Sequence, residues 1–256
     1  MKTNKTSWGK VADWYDDLLE RSPDSFQEKV ILPNLLRLLD IKKDVSVLDV
    51  ACGQGYFTRA FHEKGAQVTG FDISQELIDL AKKSGGNKIK YFVASADDFT
   101  KTVDQDKFDA ITIILALQNI ENINGVFEEC AKVLKPGGQI AIVLNHSTFR
   151  IPKRSSWIWD EKENKQYRRI DGYMRESHTD IDMTPGETDP SRKKYTVSFH
   201  RPLQTYFKLL DKNGFAINRL EEWISHKASQ PGPRASEEDR MRKEIPMFIA
   251  MVAKKF

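Results

Sequence analysis

The sequence predicts an α/β fold, a mostly parallel sheet of seven strands with helices on both faces. Three observations predict it. Between residues 45 and 143, short β-branched runs alternate with stretches of helical period, the pattern of repeated βα units. Glycine and proline punctuate the joins, at Gly53, Gly55 and Pro136-Gly137-Gly138. Segments at 215–223 and 246–253 read as two further strands beside the five of the repeating part.

Taken in order, residues 45–50 (VSVLDV) form a short buried strand. The glycines at 53 and 55 end it, and a helix follows over 56–63. Residues 67–71 are a second strand, closing at Asp72. Ser74 is a good N-cap for a helix through Lys82, which keeps Leu77, Ile78 and Ala81 on one face. Residues 89–94 are a third strand. Residues 108–115 are a fourth, apolar on both faces as suits a central parallel strand. A helix over 125–134 stops at Pro136-Gly137-Gly138, and 139–144 is the fifth strand.

Residues 1–41 stand outside this rhythm and read as a helical N-terminal cap, with helices at 11–19 and 27–39. Residues 146–200 lack clean periodicity and are too long for an ordinary connection, so they read as a functional insertion after strand five. The rhythm resumes with a helix at 203–212, a turn at Asn213-Gly214 and a strand at 215–223. Residues 225–244 read as a polar, proline-containing connection before the last strand. The expected organisation is one domain over 1–256: the cap (1–41), a core (42–145), the insertion (146–200) and the C-terminal part of the sheet (201–256).

Hydrophobic residues make up 39% and charged residues 30% of the chain, a globular profile and neither a disordered nor a fibrous one. The longest apolar run, 110–117, broken by Thr112, is far too short to span a bilayer. The N-terminus has no apolar stretch after its lysines, so no secretory signal is expected. Cys52 and Cys130 form no CxxC and no metal-type cluster; a reduced cytoplasmic setting and no metal are the expectation. A net charge of +3 and a pI near 8.6 do not demand a nucleic-acid partner.

Asp49-Val50-Ala51-Cys52-Gly53-Gln54-Gly55 lies directly after a strand and before a helix. Glycines here let the backbone turn tightly and approach a ligand where a Cβ would collide. The spacing is not that of a P-loop and lacks the third glycine of a dinucleotide fingerprint. Asp72 follows the second strand about twenty residues later, where a carboxylate suits a grip on ribose hydroxyls; the alternative is that it only starts the next helix. The third strand ends in Ala94-Ser95-Ala96-Asp97-Asp98-Phe99. A backbone N–H and a polar side chain at that edge can read an adenine ring, or Asp97 and Asp98 can start a helix.

The series VLDVACGQG, GFDIS, ASADDF, FDAITIILALQNI and VLKPGGQIAIV, in this order over residues 45–144, resembles the successive motifs of small-molecule class I S-adenosylmethionine-dependent methyltransferases. The resemblance implies a Rossmann-like fold and S-adenosylmethionine as cofactor. It implies that Asp49, Gly53 and Gly55 surround the methionine part, with Ala51 in the same turn, and that Asp72 holds the ribose while Ile73 packs on the adenine. Ser95, Ala96 and Asp97 would stand at the adenine edge, and Leu115 with its neighbours would close over the sulfonium. In related enzymes an N-terminal aromatic residue covers the cofactor, and Tyr15 is the choice here. Ala51 stands where the family often has Gly. Ser95 stands where many members place Asp, which leaves open the side chain that meets the adenine amino group.

The methyl acceptor is expected to be a small molecule. His146, at the carboxyl edge after the fifth strand, is the first candidate for acceptor contact or proton removal; His200, at the insertion's end, is the second. The insertion also offers Arg150, Trp157, Tyr167, Arg168, Tyr173 and His178, side chains that suit a lid over a planar or anionic acceptor; Trp157 and Trp159 can instead pack the insertion's own core. With 11 Lys/Arg against 9 Asp/Glu between residues 146 and 200, the insertion is no strongly basic patch. RNA methylation is the alternative reading, and a non-catalytic cofactor-binding protein of the same fold is another. An NAD-dependent dehydrogenase is disfavoured by the missing third glycine and by the PGG turn.

Overall fold

The computed structural model describes residues 24–103, 108–184 and 186–256. The first strand, β1 (Ser46–Val50), is buried on both faces except at its first residue. Its side chains alternate as a strand's must, and the alternation divides the core. Leu48 and Val50 point to one face, where they meet Ile111, Ile113, Ile140 and Ile142. Val47 points to the other, with Ala110, Ala141 and Val143.

The chain then winds outward. A helix, α1 (Leu32–Leu39), precedes β1 and lays Leu35, Leu38 and Leu39 on the Val47 face. It continues a π-helical turn over Gln27–Ile31; the register changes where Pro33 brings no N–H to the helical ladder. After β1 come α2 (Tyr56–Glu63), β2 (Gln67–Asp72), α3 (Gln75–Gly85) and β3 (Lys90–Val93). Ser74 caps α3, its Oγ accepting the Leu77 N–H at 3.2 Å. The chain returns to place β4 (Phe108–Ile114) on the opposite side of β1 from β2. Next follow α4 (Ile123–Val133) and β5 (Leu134–Asn145), which pairs parallel with β4. Two strands near the end, β10 (Phe215–Trp223) and β11 (Phe248–Lys255), complete the sheet in the order β10-β11-β5-β4-β1-β2-β3. β11 runs antiparallel to both its neighbours. The sheet is thus seven-stranded and mostly parallel, with helices packed on its two faces. Strand order reverses between β1 and β4, and in open sheets of this kind ligands bind beyond the carboxyl ends of the strands at that point.

Two expectations are corrected. The insertion is not irregular: it folds as two antiparallel ribbons. One pairs β6 (Ser155–Asp160) with β7 (Lys165–Ile170), the other β8 (Ser177–Asp182) with β9 (Tyr195–His200). Their alternation is real but is written in Trp, Gln, Arg and Thr, whose stems cover apolar surface while their tips stay polar. Residues 225–244 are not all connection, because α6 (Ala235–Glu244) forms within them. Met241 is its one buried residue, so the helix gives no apolar periodicity. It is held by Arg240 bonded to Glu237 and Glu244 along one face, and by Glu237, which accepts the Gln166 N–H of β7 at 3.0 Å. The remaining helix, α5 (Leu203–Lys212), falls where its period places it.

Candidate active site

At the switch point lies a cleft of about 1540 Å³, larger than most single-ligand pockets. The turn after β1 forms its floor. Ala51, Gly53 and Gly55 all have positive φ, at 54°, 56° and 81°. The two glycines answer different needs. A Cβ on Gly53 would meet nothing within 4 Å, whereas a Cβ on Gly55 would stand 2.6 Å from the Tyr91 hydroxyl oxygen. Gly53 therefore keeps a ligand-facing surface bare, and Gly55 admits the packing of Tyr91 beneath the turn. Ala51 holds the left-handed conformation at a cost of about 1 kcal/mol. Leu115, at the end of β4, is likewise left-handed, with φ 54°; strain of this sort gathers at ligand sites.

Two carboxylates organise the floor. Asp49 is 2% exposed and accepts hydrogen bonds from the Thr58 hydroxyl at 2.6 Å and the Thr112 hydroxyl at 2.9 Å, so it ties β1 to α2 and β4. Burial lifts its pKa to about 6, against the pull of the two hydroxyls. Asp72 accepts the Gly53 N–H at 3.0 Å on one oxygen and the Ser74 N–H at 2.9 Å on the other. Burial raises its pKa as well, opposed by those backbone donors. The turn and the end of β2 are thereby locked together, and each Asp72 oxygen keeps a lone pair for a further donor.

The cleft gathers Asp49, Ala51, Gly53, Asp72, Ile73, Ser95, Ala96, Asp97 and Leu115 from the sequence reading. Gly55 lies just beneath, in the same turn. Asp97 is engaged by the Ser95 hydroxyl at 2.5 Å and the Asn122 amide at 3.1 Å. Tyr15 lies outside the described residues. The acceptor candidates are placed differently. His146 is 3% exposed; its Nε2 meets Glu222 at 2.6 Å and its Nδ1 accepts the Thr148 N–H at 3.2 Å. Both ring nitrogens are thus occupied, and burial lowers the pKa below the usual histidine value. His200 contacts the Tyr173 carbonyl at 2.7 Å, and with His178 it lines a smaller adjoining pocket. The Tyr173 hydroxyl accepts the Leu203 N–H. Tyr167 is exposed and bonded to Glu163. Arg150, Trp157 and Arg168 form a cluster of their own and are not part of the cleft wall.

Sequence reasoning missed the other wall. Tyr56, Phe57, Asn119, Ile120, Glu121 and Asn122 line the cleft, with Val197 and Phe199 from β9. Gln54 was also passed over. It is 1% exposed, its Oε1 accepts the Tyr56 N–H, and its Nε2 is buried without an acceptor. Arg201 holds the two sides together. Its guanidinium donates to the carbonyls of Leu117, Ile120 and Glu121 at 3.3, 2.9 and 2.7 Å and lies 5.0 Å from the Phe199 ring centroid. A Phe-x-Arg at the end of an insertion is too slight a signal to be read without the fold.

The raised pKa of Asp49 has a measurable consequence. The folded-state pKa, about 6, lies above the ordinary aspartate value of 3.8. The contribution of this group to stability is therefore fully present below about pH 4 and is lost as pH rises through 6, on the order of 3 kcal/mol. Asp49→Asn is expected to remove that dependence. The wild-type minus variant difference in unfolding free energy, from urea titrations at pH 4 and pH 7.5, should fall by a few kcal/mol over the range. A difference independent of pH would refute it.

Comparison with known proteins places this geometry. A family model described as a methyltransferase domain matches residues 48–142. A ubiquinone biosynthesis O-methyltransferase from Coxiella burnetii is 32% identical over 146 residues, 54% of this chain and 59% of that protein. A demethylmenaquinone methyltransferase from Tropheryma whipplei is 35% identical over 109 residues, 41% of this chain and 44% of that protein. The chain thus spans less than two thirds of the length of these curated relatives. Among solved structures, an S-adenosylmethionine-dependent methyltransferase from Mesorhizobium loti superimposes with a TM-score of 0.67 at 27% identity, over 87% of this chain and 96% of that one. Among the described residues, no helix is long and apolar enough to cross a membrane.

Proposed function

We propose that the chain is a class I S-adenosylmethionine-dependent methyltransferase that transfers the methyl group of S-adenosylmethionine to an O, N or C nucleophile of a small molecule. One observation carries the reading: the Gly53 N–H is bonded to Asp72 in a single cleft at the switch point. That bond sets a bare glycine surface beside a carboxylate, the pairing that a nucleoside with a zwitterionic tail requires.

The residues present fit such a group. Asp72 would take the ribose hydroxyls and Ile73, 38% exposed at the cleft, would cover the adenine. The buried, unpaired Nε2 of Gln54 is a donor in want of an acceptor, which the carboxylate of the methionine part would supply. Asp49, ionised above about pH 6, offers the negative charge for a cationic tail. S-adenosylmethionine, when bound, contributes an electrophilic methyl on a sulfonium. The protein's part is alignment and exclusion of water. The Leu115 turn and the wall of Asn119–Asn122, Val197 and Phe199 are the residues that would hold the acceptor in line. An O-methyltransferase among the relatives favours an oxygen nucleophile.

Calorimetry with S-adenosylhomocysteine and with NAD tests the donor: binding of the first and none of the second is expected, and the reverse overturns the reading. For the acceptor, labelled methyl should pass from S-adenosylmethionine into a metabolite extract and not into total RNA. Label confined to RNA would refute a small-molecule acceptor.

A further inference from the structure

Arg150 lies on the segment that leaves β5 at the carboxyl edge, its N–H bonded to the His146 carbonyl at 2.8 Å. Its surroundings are cationic. Its guanidinium carbon stands 5.8 Å from the Trp157 ring centroid, and that of Arg168 stands 4.9 Å from the same centroid. Among the described residues Arg168 donates to neutral acceptors, the Phe149 carbonyl at 2.8 Å and the Ser155 hydroxyl at 2.7 Å. Arg242, the third cation, reaches Ser229, with Asp239 as its own carboxylate at 3.9 Å. Glu222, on β10, is taken by His146. Among the described residues neither Arg150 nor Arg168 has a carboxylate partner, and the Arg150 Nε is shut from solvent with no acceptor at all. Burial and the Arg242 charge push the Arg150 guanidinium below its ordinary range; burial and the Arg150 charge bring Arg168 down to about 10.

A chain gains no stability from gathering two half-buried guanidiniums at one indole ring with a donor left unpaired. The arrangement makes physical sense when an anion completes it: guanidinium forks match the oxygens of a carboxylate or phosphate, and the indole holds the forks in place through its ring face. We propose that Arg150 and Arg168, braced on Trp157, form an oxyanion-binding site that receives a carboxylate or phosphate group of the methyl acceptor. The link to the acceptor rests on the proposed function; the anion site itself does not. β5 borders β4, whose end at Ile114 and Leu115 lines the cleft. An acceptor anchored here by its acidic group extends toward the donor along the carboxyl edge. The guanidiniums already occupy the ring face of Trp157, so the tryptophan serves as a brace and not as a stacking platform.

The site makes a prediction of opposite signs. Benzoate and inorganic phosphate, each titrated into the full chain against chloride at constant ionic strength, are expected to raise Tm. A roughly fivefold excess over Kd gives about 2–4 °C in a chain of this size. A larger response to one probe identifies the carboxylate or the phosphate as the better fit. Arg150→Gln should abolish the response while leaving Tm without anion at or above the wild-type value, because it removes an unpaired charge. Arg150→Lys should keep part of the response. No response in the wild type, an equal response in Arg150→Gln, or a variant several degrees less stable with the response intact each overturns the proposal. S-adenosylhomocysteine binding, measured in parallel, separates the two readings. A chain that responds to the probes but does not bind the nucleoside keeps the anion site and loses only the methyl-donor assignment.

Discussion

Asp72→Ala is expected to weaken binding of S-adenosylhomocysteine at least about 100-fold. Two effects combine in this change. A carboxylate at the end of β2 would accept both ribose hydroxyls, and a hydrogen bond to a charged group contributes about 1.5–3 kcal/mol. The same carboxylate accepts the Gly53 and Ser74 N–H groups, so its removal also frees the glycine turn that forms the floor. Asp72→Asn separates these effects. The amide keeps the shape and one acceptor, so the turn is partly held while the charge is lost; its affinity should lie between the other two. The measurement is calorimetry on chains whose circular dichroism matches the wild type. An unchanged Kd in Asp72→Ala would refute the ribose role, and equal losses in both variants would assign the effect to charge alone.

The floor of this cleft was legible because it is built from the local chain. A glycine pair after a buried strand, a carboxylate closing the next strand, and a serine cap two residues later are all short-range signals. Strands β1, β2 and β4 fell where their apolar runs placed them, since burial on both faces leaves no room for any other pattern. The opposite wall of the cleft is built otherwise. Val197 and Phe199 reach the cleft only because a ribbon folds back over the loop after β4, and no local pattern encodes that return. The ribbons themselves were hidden because residues such as Arg168 and Gln166 alternate with Tyr167, none of them a clean apolar or polar marker. His146 illustrates the same limit. Its position at the sheet's edge was readable, but the partners on both its nitrogens come from Glu222 and Thr148, and Glu222 stands on a strand far away in sequence.

Arg201 is the residue in which this long-range construction is concentrated, and its removal should carry the largest stability penalty of the changes considered. The side chain is 6% exposed, yet among the described residues no carboxylate pairs with it; three backbone carbonyls share its charge. Arg201→Met takes the donor from the Ile120 and Glu121 carbonyls and leaves Leu117 with only the Ile120 N–H. Three hydrogen bonds from a charged donor are lost, at about 1.5–3 kcal/mol each, and water at Ile120 and Glu121 restores part of that, so the expected loss is roughly 3–5 kcal/mol. That is a large part of the 5–15 kcal/mol typical of a folded domain. Arg201→Lys keeps the charge but has no planar fork to span three acceptors, so about half the loss should remain. Urea titration at neutral pH measures both. The functional consequence follows from what the guanidinium connects: it joins the loop at 117–121 to Phe199, and both line the cleft. Hydrogen exchange on the wild type should show S-adenosylhomocysteine protecting residues 117–121 and, through Arg201, residues 197–200 as well. In Arg201→Lys the first protection should persist and the second should shrink. Protection of 197–200 that is the same in both chains would show that the ribbon is held without Arg201.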